Sequence, residues 1–280
     1  MKLSIRYRAE YRYQEKVSLS PHVVRLFPRD ALQARVRSFR FATNDSGSVN
    51  WRHDIFDNVV AQCFYPRDED MLFFTLDAEI DVEERNPFGF LLESRALQWP
   101  PEYTAREHQL LAAFLEPEDV DLPPALRPVS GSDTVGALVA MNQWIHGSIA
   151  YERREDGEAH PPGETLRQRR GACRDTSVLL AAALRAQGVA SRLVSGYLWE
   201  SVSDPAELKA DGSLHAWTEA FLPGAGWVGL DPSNGVLADH HYLAAAVGIG
   251  PSDIAPVAGL YFGDRKIPGK LETSLHVTPI

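Results

Sequence analysis

Residues 170–188 read RGACRDTSVLLAAALRAQG, and the fold turns on how this stretch is read. Leu179 to Leu184 form the most apolar long run in the chain. Ala and Leu are the strongest helix formers, so the run predicts a helix. Gly188 stands where a left-handed C-terminal cap belongs. Arg185 puts a positive charge in the last turn, where it complements the helix dipole. Apolar residues on nearly every face make this a buried, central helix. Cys173 falls at its start, just after Gly171-Ala172. Unpaired N–H groups and the positive dipole end favour a thiolate there. A cysteine at such a place can equally be a small buried hydrophobe, and the helix alone leaves both readings open.

Upstream, the chain has a different texture. Leu3, Ile5, Tyr7, Ala9, Tyr11 and Tyr13 alternate with charged and polar residues, the signature of a strand with one buried face. Residues 23–27, 35–42, 51–57, 59–65 and 72–82 read as further strands, with a turn at Asn44-Asp45-Ser46-Gly47 and a hairpin about Asp57-Asn58. Strands at regular spacing, with almost no helical pattern, predict a β-sandwich or barrel. Cys63, inside VVAQCFY, reads as a core residue. Asn86-Pro87-Phe88-Gly89 and Trp99-Pro100-Pro101 interrupt the pattern, which places a linker between residues 84 and 101. The expected division is an N-terminal β-sandwich domain over residues 1–90 and a second domain over residues 91–280.

The second half mixes helices with strands. Residues 102–115 read as helical, and a proline-rich stretch follows. Ser132 or Asp133 can cap a helix that runs to about Ile149. Val135, Leu138, Val139, Ile145 and Ile149 form its stripe, with Trp144 beside them. After the Cys173 helix, residues 190–199 read as a strand and residues 201–212 as a polar loop. Residues 214–222 and 226–230 read as a hairpin, residues 235–269 as irregular, and residues 271–277 as a closing strand. A central helix followed by an antiparallel sheet is an α+β pattern.

Composition narrows the function. A chain of 280 residues can bury a sizeable core. A net charge of −10 argues against a nucleic-acid partner, which would want a basic stripe. The two cysteines give no CxxC pair and no disulfide framework, and the nine histidines lack the spacing of a zinc site. The start, MKLSIRYRAEYRY, is not a signal peptide, and no run approaches a membrane span. The expectation is a cytoplasmic protein with no membrane and no nucleic-acid partner, no metal and no cofactor. The acidic run at residues 116–119 reads as a solvated loop, not a calcium loop.

A cysteine nucleophile needs a base, and the base needs an orienting group. His215 opens the strand LHAWTEAFL, and Asp231 ends the next one at GWVGLDP. A turn of three or five residues puts both on one face, and a turn of four puts them on opposite faces unless a bulge intervenes. Spacing makes the pair available without forcing it.

GACRD before an apolar helix, then RLVSGYLWE, then HAWTEAFLPGAGWVGLDPSNG, resembles the transglutaminase-like superfamily of cysteine acyltransferases and peptidases. The likeness is strongest to bacterial two-domain members. LSIRYRAEYRYQEKVSLSPHVVRLFPR, with HDIFDNVV after it, resembles their N-terminal β domain, and NPFGFLL the joining segment. The resemblance implies a transglutaminase, papain-like catalytic core, with a central Cys helix packed on an antiparallel sheet. It implies Cys173 as nucleophile, His215 as base and acid, and Asp231 as orienter. Trp217 follows His215 as in the family, Trp144 precedes the Cys helix as a family tryptophan linked to the oxyanion hole does in some members, and Arg174 follows the nucleophile as in many relatives. Trp217 and Trp144 read equally as core aromatics, and Arg174 as a solvated first-turn residue. Thr176 and Ser177 stand where relatives often carry an aromatic residue and Ala, DPSNG replaces DPTNG, and Gly248-Ile249-Gly250-Pro251 replaces a Gly-Arg-Asp-Tyr run.

The leading expectation is cysteine-dependent acyl transfer on amide bonds through a thioester. The partner is a protein or peptide substrate with a carboxamide or amide bond, and the acceptor is water or an amine. The alternatives are a non-catalytic binding or scaffolding protein on the same fold and, third, a metal hydrolase using Cys173, His215 and Asp231 as ligands, for which no fourth ligand suggests itself.

Overall fold

The computed structural model describes residues 1–154, 157–199, 214–263 and 269–280. The polar loop expected at residues 201–212 lies outside the described residues. The first half contributes β1 (Lys2–Leu19), β2 (His22–Val24), β3 (Ala34–Thr43), β4 (Ser48–His53), β5 (Val59–Phe64) and β6 (Glu69–Val82). Then come α1 (Ala105–Leu110), α2 (Ala112–Leu115), α3 (Thr134–Ser148), β7 (Ala150–Tyr151), α4 (Pro162–Gln168), β8 (Arg170–Gly171) and α5 (Cys173–Ala186). The remainder is β9 (Ser191–Leu198), β10 (His215–Leu222), β11 (Gly226–Asp231), β12 (Val236–Leu237), β13 (Tyr242–Gly248), β14 (Val257–Ala258), β15 (Tyr261–Phe262) and β16 (Gly269–Pro279).

The N-terminal part is sandwich-like. One sheet runs β15-β1-β6-β3, with β16 also paired to β1, and the other runs β14-β2-β5-β4. Leu3, Ile5 and Tyr7 of β1, Phe74 and Leu76 of β6, Val24 of β2 and Ala61 and Cys63 of β5 pack into one core. The alternation that predicted β1 is therefore the alternation that buries it. Cys63 is fully buried, and burial pushes its thiol pKa up to about 11, as expected for a core cysteine.

The second part is a helix against a sheet of order β12-β11-β10-β9-β13, antiparallel at every pair. α5 packs on β9 and β10, and Leu179, Leu180, Ala183 and Leu184 are all buried in the core beneath it. Gly188 closes the helix with φ 73°, in the left-handed region. Asp133 is the N-cap of α3, accepting a hydrogen bond from the Gly136 N–H.

Two expectations change. Residues 235–269 are not irregular throughout, because β13 is a seven-residue strand. Its sequence, YLAAAVG, is buried at nearly every position, so it lacks the two-residue period of a half-exposed strand, and its alanines are weak strand formers. The final strand exists but belongs to the other half. β16 pairs along β1 from Leu3↔Pro279 to Tyr13↔Gly269, and β14 pairs with β2. β14, β15 and β16 thus lie in the sheets of the first half, whereas a break after residue 90 assigns them to the second. Periodicity identifies a strand, but not its partner.

The halves meet along β13. Its edge opposite β9 is covered by the N-terminal part: the Arg29 N–H donates to the Ala244 carbonyl at 2.7 Å. The Asn58 amide donates to the Val247 carbonyl at 2.8 Å and accepts the Val247 N–H at 2.9 Å. Asn58 is fully buried and substitutes for a missing strand. Asn58→Ala would orphan both Val247 groups. Each unsatisfied buried group costs about 1–3 kcal/mol, so urea unfolding should show a loss of about 2–4 kcal/mol. A change under about 0.5 kcal/mol would show that this junction carries no stability.

Candidate active site

The GACRD segment explains itself at the start of α5. Ala172 is the N-cap, and the buried Asp175 carboxylate accepts its N–H at 2.7 Å. The other Asp175 oxygen accepts from the Arg154 guanidinium and from the His160 N–H, both at 2.8 Å. Asp175 thus caps the helix and ties Arg154 and His160 to it. A Cβ on Gly171 would lie 2.8 Å from the Asp175 Cβ, so the position requires glycine. Thr176 and Ser177 donate to the Cys173 carbonyl at 3.0 and 2.7 Å, and Thr218 on β10 donates to the Ser177 carbonyl at 2.8 Å. The first turn of α5 is thereby fixed to the sheet. As the first helical residue, Cys173 has an N–H without an intrahelical acceptor.

The hairpin resolves the parity left open by spacing. Leu222 pairs with Gly226, so the turn holds residues 223–225. Extending the register from Thr218↔Leu230 sets Trp217 opposite Asp231, with His215 two residues along on the same face. The His215 Nε2 lies 2.7 Å from Asp231 Oδ2, which leaves Nδ1 for other partners. Cys173 Sγ hydrogen-bonds to the His215 ring and accepts the Ala216 N–H. Cys173 is half-buried, whereas His215 and Asp231 are buried.

Asp231 gathers six hydrogen bonds. Oδ1 accepts from the Ser233 N–H (2.9 Å), the Ser233 hydroxyl (2.6 Å) and the Asn234 N–H (3.2 Å). Oδ2 accepts from His215, the Asn234 amide (2.7 Å) and the Tyr242 hydroxyl (2.8 Å). Gly235, at φ 71°, closes the DPSNG turn by donating to the Asp231 carbonyl at 2.8 Å. Helix α3 backs the turn through His146 Nδ1, 2.9 Å from the Ser233 carbonyl, and the Asn142 amide, 3.0 Å from the Val236 carbonyl.

Charge follows from this geometry. Burial pushes the Cys173 thiol pKa up, but the His215 charge, its hydrogen bond and the Ala216 N–H outweigh burial, so the net shift is down. Burial pushes His215 down, and the charges and hydrogen bonds of Asp231 and Cys173 carry it well above its ordinary value. Burial disfavours the Asp231 carboxylate, yet His215, Ser233 and Tyr242 hold its pKa well below the usual carboxylate range. Burial and the neighbouring Asp231 charge keep the Tyr242 hydroxyl protonated, far above the ordinary phenol value. The charge of each of the three groups therefore depends on the charge of its neighbours.

Other sequence-level candidates divide. Trp217 is buried, stacks on His215 at 6.5 Å and meets Tyr242 edge-on at 5.4 Å. Arg174 donates to the Arg154 carbonyl at 3.0 Å, next to the cysteine but turned towards the preceding loop. Trp144 lines a separate cavity of about 430 Å³ with Leu122, Arg127, Ile149 and Arg169, and none of Cys173, His215 or Asp231 lines it. Sequence reasoning missed Tyr242 and the Ala216 N–H. Neither carries a motif; only the fold of β13 and β10 brings them in.

The fold is a transglutaminase-like α+β core joined to a β-sandwich. The family model described as Transglutaminase-like superfamily matches residues 127–232, and the model described as Bacterial transglutaminase-like N-terminal region matches residues 3–81. The two matches together describe a transglutaminase-like core over residues 127–232, preceded over residues 3–81 by the N-terminal region of bacterial members. An uncharacterized protein of Mycobacterium tuberculosis is 27% identical over 295 residues, covering 98% of this chain and 92% of the relative. One of Mycobacterium leprae is 34% identical over 128 residues, 45% of each chain. The crystal structure of a candidate cysteine protease from Cytophaga hutchinsonii has the same fold. It has a TM-score of 0.72 at 14% identity and covers 100% of this chain and 91% of that one.

Two outcomes test the electrostatics. The reactive species is the thiolate, so a lowered pKa moves the pH profile of Cys173 alkylation below that of a free thiol near ~8.5. In His215→Ala only burial, Asp231 and Ala216 remain, and the inflection should rise to ~8.5 or above. Iodoacetamide rates against pH would show the shift, and superimposable profiles would rule out the pair. Tyr242→Phe removes one of six donors from a buried carboxylate, which should cost about 1.5–3 kcal/mol in chemical unfolding at neutral pH. A variant as stable as wild type would show that the hydroxyl does not support Asp231.

Proposed function

We propose that the protein is a cysteine enzyme that transfers acyl groups from amide bonds, with Cys173, His215 and Asp231 as its catalytic triad. The observation that supports this most is the unbroken contact of a thiol at a helix start with an imidazole held by a fully satisfied buried carboxylate. The thiolate attacks the carbonyl carbon of a carboxamide or peptide bond, and the C–N bond breaks as His215 gives its proton to the leaving amine. The product is a thioester on Cys173. His215, now neutral, takes a proton from water or from an amine, which attacks the thioester and regenerates the thiol pair. The Cys173 N–H at the helix start is the natural donor to the developing oxyanion. Asp231 holds the ring in one tautomer and stabilises its charged form without becoming protonated itself.

Hydrolysis and transamidation share the first half-reaction, so the triad supports both. A peptide or protein substrate fits this chemistry. The free thiols of Cys63 and Cys173 suit a reducing cytoplasmic setting. No helix among the described residues is long and apolar enough to cross a membrane.

Incubation with a peptide library, followed by intact-mass spectrometry, should show an acyl adduct on Cys173. A primary amine should divert the product from acid to amide if transamidation operates. Cys173→Ala should form no adduct, while Cys63→Ala should retain full turnover. Adduct formation in Cys173→Ala, or loss of turnover in Cys63→Ala, would overturn the assignment of the nucleophile.

A further inference from the structure

Asp239, His240 and His241 follow one another in the turn that enters β13. A donor atom from each lies within 4.8 Å of the other two. Asp239 Oδ1 accepts the His241 N–H and faces His241 Nδ1, both at 2.9 Å. Asp239 Oδ2 lies 3.9 Å from His240 Nδ1, beyond hydrogen-bond reach. His240 is only 9% exposed, and its buried Nδ1 has no hydrogen-bond partner among the described residues. An Asp–His pair accounts for His241 but leaves that nitrogen unexplained, and an orphaned buried polar atom calls for a water or an ion as its partner.

The ring planes are already set. His241 stacks on Trp199 at 4.9 Å and 19°, and its ring also lies against the His240 ring at 4.2 Å. Trp199 in turn donates its N–H to the His241 carbonyl at 2.9 Å, and the Tyr242 N–H closes the turn on the Asp239 carbonyl at 3.1 Å. Asp239 is a quarter exposed, so an ion has a way in.

We propose that Asp239, His240 and His241 bind a divalent transition-metal ion of the zinc type. Two imidazoles and one carboxylate favour zinc and its first-row neighbours over calcium or magnesium, which prefer all-oxygen shells. Tetrahedral bonds of about 2.0–2.1 Å place donor atoms about 3.3 Å apart. Donor atoms already within 4.8 Å of one another need only a modest closing of the side chains to reach it. Coordination through Nδ1 leaves Nε2 to carry the ring proton of His241. Three protein ligands leave a fourth position open to water. Contiguous ligands escape a search for spaced zinc motifs, which is why the histidines look scattered in the sequence. The site is distinct from Cys173, but it abuts Tyr242, whose hydroxyl holds Asp231. Bound metal would therefore stiffen the support of the triad.

The test uses the full chain carrying Cys173→Ala, which removes the competing thiolate, stripped with EDTA and titrated with Co²⁺ and then Zn²⁺. The expected result is one equivalent of Co²⁺ with visible d–d bands and no thiolate charge-transfer band, displaced by Zn²⁺, with a rise in melting temperature. His240→Gln and His241→Gln should each weaken binding at least about tenfold, while His108→Gln, on α1, should not. Asp239→Asn gives a third reading if a histidine variant fails to fold. Absence of saturable binding up to about 1 mM, or equal binding in the site variants and wild type, would overturn the proposal.

Discussion

A carboxylate taken out of water must be met by donors or it protonates. Asp231 is fully buried and has six of them. Four come from Ser233 and Asn234, within its own turn, so local sequence supplies most of the solvation. The other two come from His215 and Tyr242 and are products of the tertiary fold. This division matters because a carboxylate satisfied only locally would have no hold on the histidine. Here the bond to Nε2 fixes the ring's orientation and leaves Nδ1 as the nitrogen for sulfur. Trp217 stacked on the ring limits its remaining freedom.

The same logic governs the start of α5. A second buried carboxylate, Asp175, satisfies the Ala172 N–H and so closes the helix N-terminus without a Ser or Thr cap. A side-chain cap at residue 172 would have placed a competing oxygen beside the cysteine. Moving the capping group to the third helical residue leaves the space before Cys173 to a small alanine. The sheet must also approach closely. Gly196 lies opposite His215 in the ladder, and a Cβ there would come within 2.1 Å of the Leu243 carbonyl. The glycine of the LVSGYL stretch thus lets β13 pack against β9 behind the histidine.

Features that repeat with the period of their own element were legible in the sequence. The alternation of residues 3–13 gave β1, the apolar run with Gly188 gave α5, and the HAW and DPSNG segments placed His215 and Asp231 on a hairpin. Cys173 at a helix start was legible for the same reason. What depends on remote partners was not. The strand YLAAAVG is covered on both sides and shows no alternation. α4 opens at Pro162, after the N-cap Pro161, a helix start that is plain only once Pro162 is seen at a first-turn position. The two-residue pairing of β7 with β8 is imposed by the packing of the loops around it. The sheet that β16 joins is a matter of topology. Turn length decided whether His215 and Asp231 share a face, and Gly224 and Gly226, at φ 93° and 77°, are what let a three-residue turn form. Tyr242 lies eleven residues past Asp231 with no motif around it, so its place on the carboxylate could come only from the fold.

β13 joins these two halves of the argument. At its start Tyr242 donates to Asp231; near its end Val247 is held by Asn58 on both backbone groups. Between them Ala244 receives the Arg29 N–H, and Leu243 and Ala245 enter the core of the N-terminal sandwich. Tyr197, on the neighbouring β9, enters the same core and donates its hydroxyl to the Leu26 carbonyl. An edge strand left to itself is prone to slip or fray. A slip of one residue would turn the Tyr242 hydroxyl to the other face of the sheet and strip Asp231 of a donor. The bulge between Ala244 and Ala246 already shifts the register along this strand, so pairing with β9 does not by itself pin both ends. Asn58 pins the far end from the other half of the molecule. The N-terminal region is therefore more than an appended module: its contacts set the register of the strand on which the Asp231 carboxylate leans.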